Sequence, residues 1–139
     1  MKKIQEKRKD DPGMSRNIIN KANIICIGCP KGCRIVVESE NGTISQLSNY
    51  SCPRGKEYAR EEFINPTRIL PTTVRVSNGE LPVVSVKTAA PIPKGLLLSS
   101  MNEIARIEVK APVSIGQIIR KDLMGTGVDL IATTTVARK

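Results

Sequence analysis

From Asn23 onward, apolar residues mostly alternate with polar ones, and a period of two predicts strands. NIIC, ending at Cys26, reads as a short apolar strand that runs into a cysteine-rich turn. In CRIVVESENGTISQL, Ile35 and Val37 alternate with Val36 and Glu38, Asn41-Gly42 is a turn pair that tolerates positive φ, and Ile44 resumes the return strand. The pattern predicts a β-hairpin that leaves from Cys33 and returns towards Cys52.

RGKEYAREEF, residues 54–63, has helical composition, with Tyr58 and Phe63 turned inward. Asn65-Pro66 ends it, because the residue before a proline is pushed out of the helical region. A boundary between two units is placed there. Downstream, Val74 and Val76 alternate with polar neighbours, Asn78-Gly79 predicts a second hairpin turn, and Val84 and Val86 continue the return strand. APIPKG reads as a stiff connector. Residues 96–105 carry Leu97, Met101 and Ile104 at helical spacing, ARIEVKAP reads as a strand, and two more short strands flank Gly125-Thr126-Gly127. The expectation is an α+β fold, mostly β: a charged tail over residues 1–20, a small four-cysteine metal-binding unit over 21–64, and a β-rich docking domain with one helix over 65–139.

Composition changes this picture in two ways. With one Phe, two Tyr and no Trp, the core must be built from Ile, Val and Leu, and small cores of that kind often need a staple such as a metal. The net charge of +9 points to nucleic acid or an acidic protein surface as partner. The shortage of rings on which bases could stack speaks against nucleic acid. Part of the excess is local: MKKIQEKRKDDPGMSRN holds six basic and three acidic residues and reads as a solvated tail, with Met14 an alternative start. No apolar run follows the first lysines and none approaches a membrane span, so the expected compartment is the reducing cytoplasm. There, clustered cysteines more often bind metal or do redox work than form structural disulfides.

The candidate chemistry lies in CIGCPKGC and SCPRG. Cys26, Cys29, Cys33 and Cys52 are the four cysteines, separated by two, three and eighteen residues, and the chain has no histidine. Thiolates hold soft metals, and a C-x2-C turn directs backbone N–H groups at the sulfurs. Three readings stay open: a 4Fe-4S cluster with one cysteine per iron, a structural zinc site, and a dithiol redox pair at Cys26 and Cys29. Zinc sites with four cysteines usually come as two C-x2-C pairs, whereas three crowded cysteines and a solitary fourth suit a cubane better. Cys29 and Cys52 each precede a proline, as in ferredoxin runs. Lys31, Arg34, Arg54 and Lys56 lie close in sequence to these ligands. As a group they would stabilise bound negative charge and offer a partner-binding face. No nucleophile–base pair is present, which argues against a hydrolase. GTG is too short for a phosphate loop.

These residues carry two resemblances. C-x2-C-x3-C, an Asn-Gly hairpin and CPRG, over residues 23–60, resemble the N-terminal iron–sulfur segment of molybdopterin oxidoreductases. Arg54 and Lys56 are the nearest matches to the lysine those enzymes place after their last cysteine. The gap before Cys52 is shorter than in that pattern and nothing downstream resembles a pterin-binding body, so no molybdenum cofactor is expected. CIGCPKGCRIVVE, SCPRGKEYAREE, NPTRILPTTVRV, LPVVSVKTAAPIPK, KAPVSIGQII and GTGVDLIAT together resemble the small bacterial CxxC motif-containing proteins. That resemblance implies a setting beside FAD-dependent subunits, one similar to anaerobic glycerol-3-phosphate dehydrogenase and one to an NAD(FAD)-dependent dehydrogenase. The expected role is a small electron-transfer subunit in a hetero-oligomer, with substrate oxidation left to the partner. The alternative is a zinc-stapled assembly subunit without redox work, and a basic zinc ribbon that binds nucleic acid is weaker still.

Overall fold

The computed structural model describes residues 19–139. The charged tail expected over residues 1–20, Met14 included, lies outside the described residues except for Ile19 and Asn20, which open the first strand. Contacts divide the chain into two units, one ending at Phe63 and one beginning at Ile64.

The first unit is an antiparallel sheet of β1 (Ile19–Ile25), β2 (Arg34–Glu40) and β3 (Thr43–Ser48), in the order β1-β2-β3, followed by α1 (Pro53–Ile64). Asn41 and Gly42 both have positive φ, 50° and 83°, which gives the β2–β3 turn the twist of a tight hairpin. Alternation places Ile35, Val37 and Ser39 of β2 on the buried face. Ala59 of α1 is buried with Cys26, Ile35 and Val37, and Tyr58 and Phe63 pack against that cluster. On the same sheet Lys21 and Glu38, directly opposed in register, form a 2.7 Å ion pair. Partly exposed pairs of this kind contribute at most about 1 kcal/mol.

The second unit holds a five-stranded sheet in the order β8-β5-β6-β10-β9 and a two-stranded β4–β7 pair. Its strands are β4 (Thr67–Arg68), β5 (Pro71–Ser77), β6 (Val83–Thr88), β7 (Ile92–Pro93), β8 (Glu108–Lys110), β9 (Ile118–Arg120) and β10 (Leu130–Ala132). β5 runs parallel to β8 and antiparallel to β6. β6 alternates strictly, with Val84, Val86 and Thr88 buried. The helix α2 (Leu97–Ile104) follows a 3-10 turn at Lys94–Leu96. Val74, Val84, Val86, Ile104, Val113, Leu123, Leu130, Ala132 and Val136 make one continuous core. No described helix is long and apolar enough to cross a membrane.

Three local expectations differ from the structure. Asn78-Gly79 is not a two-residue turn: the β5–β6 register ends at Arg75 and Val83, and Val76 N–H donates to Pro82 O at 2.8 Å across a longer loop. Gly79 is needed there for space, since a Cβ would lie 2.8 Å from Val76 Cγ1 and 3.0 Å from both Leu81 O and Val136 Cγ1. APIPKG is more than a connector, because Ile92 and Pro93 pair with Arg68 and Thr67 and Ile92 is fully buried. On α2, Ser100 and Ile104 are buried while Met101 is 39% exposed. The inward stripe runs through position 100, because the helix is turned by one position from the pattern that the large side chains suggest.

Candidate metal centre

The antiparallel order of the first sheet sends the end of β1, the start of β2 and the end of β3 to the same side. Cys26 follows β1 directly, Cys33 precedes β2, and Cys52 comes four residues after β3. All four cysteines therefore gather at one end of one small sheet. Cys26 N–H donates to Cys33 O at 2.9 Å and continues the β1–β2 ladder by one step. The turn from Cys29 to Gly32, closed by Gly32 N–H to Cys29 O at 3.4 Å, reverses the chain between them.

Backbone donors are aimed at two of the sulfurs. Gly28 N–H donates to Cys26 Sγ and Gly55 N–H donates to Cys52 Sγ, each at 3.4 Å. Cys52 caps α1: its carbonyl accepts Lys56 N–H at 3.2 Å while its sulfur accepts from the first turn. A proline opens the helix at Pro53, where a missing N–H costs nothing. The first turn of α1 contains no acidic residue and carries Arg54 and Lys56. Cations there oppose the helix dipole, so an anionic group at Cys52 would relieve that repulsion.

Cys26 is buried at 7% exposure, Cys33 is half-buried, and Cys29 and Cys52 are exposed. Cys33 Sγ donates to Ser51 Oγ at 3.3 Å. The Ser51 hydroxyl, which can reverse to donate to a thiolate, holds the Cys33 thiol below its ordinary value. Partial burial opposes this, and the Ser51 backbone and the Lys31 charge add to it. Of the four basic residues expected near the ligands, Lys31 acts electrostatically on a cysteine. Lys56 lies 5.4 Å over the Tyr50 ring. Arg34 opens β2 and Arg54 lies in the first turn of α1, both exposed.

Gly55 tests whether a bulky group fits. It is buried, and a Cβ built on it would lie 3.7 Å from Cys26 Sγ, 3.8 Å from Cys52 Sγ and 3.6 Å from Ile35 Cδ1. Two sulfurs twenty-six positions apart thus face the same small space, which a side chain at position 55 would invade. Among the described residues, no three His, Cys, Asp or Glu side chains are grouped so as to hold a metal ion. The donor set fits in kind: four cysteines at one end of the sheet, two of whose sulfurs accept peptide N–H groups and face a glycine that keeps the space between them open. Ser51, Gly28 and Gly55 were absent from the sequence expectation. The glycines could have been found from their positions two residues after Cys26 and three after Cys52, but Ser51 carried no signal.

Residues 53–134 match the family described as protein of unknown function (DUF1667). The chain belongs to this family. The segment that defines DUF1667 here covers α1 and most of the second unit and starts one residue after Cys52, so it includes none of the four cysteines. The NMR structure of a Clostridium perfringens protein is 30% identical, with 52% of this chain and 87% of that one covered and a TM-score of 0.49. No curated protein gives a significant match.

Proposed function

We propose that this DUF1667 protein is a small electron-transfer subunit in which Cys26, Cys29, Cys33 and Cys52 hold a 4Fe-4S cluster. The observation that supports this most is the placing of four cysteines at one end of the β1–β3 sheet, with peptide N–H groups on Cys26 and Cys52 and Gly55 facing both of those sulfurs. When bound, such a cluster supplies one-electron storage and relay. The chain's own residues would hold it and set its charge environment. Gly28 and Gly55 donate to the sulfurs, Ser51 and Lys31 favour the ionised Cys33, and the start of α1 presents its positive end at Cys52. Each of these favours negative charge at the site and raises a reduction potential. Cys29 and Cys52 are exposed and Ile27 between the first two ligands is 76% exposed, which leaves that end of the unit open to a partner.

The resemblance to CxxC motif-containing proteins supports FAD-dependent dehydrogenase subunits as that partner, in the cytoplasm, with residues from 65 onward as the docking domain. Oxidation of the substrate would then belong to the flavoprotein, which can release electrons singly to a one-electron carrier. The size of the first core favours a second reading. Among the described residues that cluster has four buried members, Cys26, Ile35, Val37 and Ala59, and a core so small gains from a zinc staple with no redox work.

Anaerobic purification with metal analysis and a visible spectrum decides between them. The relay reading expects brown protein with about four irons per chain and a broad band near about 400 nm. Colourless protein with one zinc would replace it with the staple.

A further inference from the structure

A groove in the second unit has no role in the cysteine site. Ser99, Asn102, Glu103 and Arg106 are spaced three and four apart, so they share one face of α2 and its last turn. Arg120 of β9 and Met124 form the opposite wall of a cleft of about 510 Å³. The cleft is largely open to solvent. A small molecule in it would keep much of its surface in water, unlike ligands in enclosed pockets. A chain segment laid along the helix suits it better.

The lining has a definite chemistry. Arg120 pairs with Glu103 at 2.9 Å, which spends the one carboxylate of the groove. The Arg106 guanidinium, exposed in the same groove, has no partner among the described residues. The groove is therefore net positive, with one planar donor free for a carboxylate. Apolar surface flanks it: Met124 is 38% exposed, and Leu98, four residues before Asn102, is 81% exposed.

Met124 is also held in a strained backbone conformation. It has φ 56°, and Asp122 has φ 47°, the left-handed region that a methionine rarely adopts. The loop is locked around it. Gly127 N–H donates to Asp122 Oδ1 at 2.6 Å, Asp122 N–H donates to Asp129 Oδ1 at 3.0 Å, and Leu123 is fully buried. The fold thus fixes an apolar side chain at the rim of a basic groove.

We propose that this groove receives an acidic segment of a partner protein, with a carboxylate against Arg106 and an aliphatic side chain against Met124 and Leu98. A second copy of this chain is disfavoured by the +9 charge that each would bring. The inference rests on the docking role given above to residues from 65 onward, but on none of the cysteines.

The test is a ¹⁵N NMR titration of the full chain with a synthetic peptide of alternating Glu and Leu. Saturable shifts are expected at residues 99–106, 120 and 124, and Arg106→Glu should weaken binding about tenfold, the loss of one charge-assisted contact. Arg106 is exposed and unpaired, so the variant should keep the wild-type fold, checked by its circular dichroism, and Arg106→Gln should weaken binding less. Several results would overturn the proposal: no saturable shifts, shifts confined elsewhere, indifference to Arg106→Glu, equal binding of oligothymidylate, or self-association through the same residues. The cluster reading fails separately. A chain that binds the peptide but no iron keeps the groove and loses the relay, and a chain with iron but a silent groove does the reverse.

Discussion

The two units solve the problem of a ring-poor sequence differently. The second builds one core from nine buried residues, all aliphatic, drawn from strands, helix and loops. Among the described residues the first unit's apolar cluster buries Ile35, Val37 and Ala59 beside a cysteine, and peptide N–H groups are directed at sulfur. One unit is held by packing. The other has a smaller packed cluster and turns backbone donors and a glycine towards two of its thiols. The difference teaches that burial and chemistry are segregated along this chain, and the family-defining segment follows the packed part.

The comparison can be broken most forcefully by truncating each core in turn. Leu130→Ala and Ile35→Ala each remove a fully buried side chain and should cost about 2–5 kcal/mol. Amide exchange followed residue by residue should show loss of protection confined to the second unit for Leu130→Ala and to the first for Ile35→Ala. Joint collapse in both variants would mean the units are not independent. Gly79→Ala comes next. Its Cβ would meet a branched side chain at 2.8 Å and backbone at 3.0 Å, so a loss of about 1–3 kcal/mol is expected in a denaturant melt of the second unit.

Smaller effects sharpen the contrast. Ser100 Oγ is buried without a hydrogen-bond partner among the described residues. Ser100→Ala should therefore raise stability by about 1 kcal/mol, since an unpaired buried hydroxyl costs and alanine favours helix. A fall in melting temperature would show an unseen partner for that hydroxyl. Gly55→Ala separates packing from chemistry most finely. Its Cβ makes only ordinary contacts at 3.6–3.8 Å, and alanine gains about 0.5–1 kcal/mol in a helix. The metal-free chain should be as stable as wild type or slightly more so, while iron content after anaerobic reconstitution falls. Unchanged iron would show that the space beside Gly55 is not used.

How much of this was legible in the sequence follows from what is local. The first hairpin was legible because Asn41-Gly42 and the alternation from Ile35 agree with one another. The helix after Cys52 was legible from composition and from Asn65-Pro66, and it extends one residue further at each end. Where packing between distant segments decides, the pattern misled. Gly79 answers to Val76 and Val136, and α2 turns Ser100 inward because Ile104 must reach the core. Of the candidate site, the placing of the four cysteines at one end of the first sheet was legible from the hairpin, and the glycines that donate to Cys26 and Cys52 were legible in hindsight from spacing. Ser51 beside Cys33, and Arg106 beside Arg120 in the groove, depend on segments brought together only by the fold.

The central claim is that the thiol-bearing end of the first unit carries single electrons. Electron paramagnetic resonance of the anaerobically purified chain, recorded during a redox titration, tests it most directly. The account predicts a signal that grows on reduction along a one-electron Nernst curve and is absent in Cys52→Ser. A chain that stays silent at every potential, with zinc bound in place of iron, would contradict it.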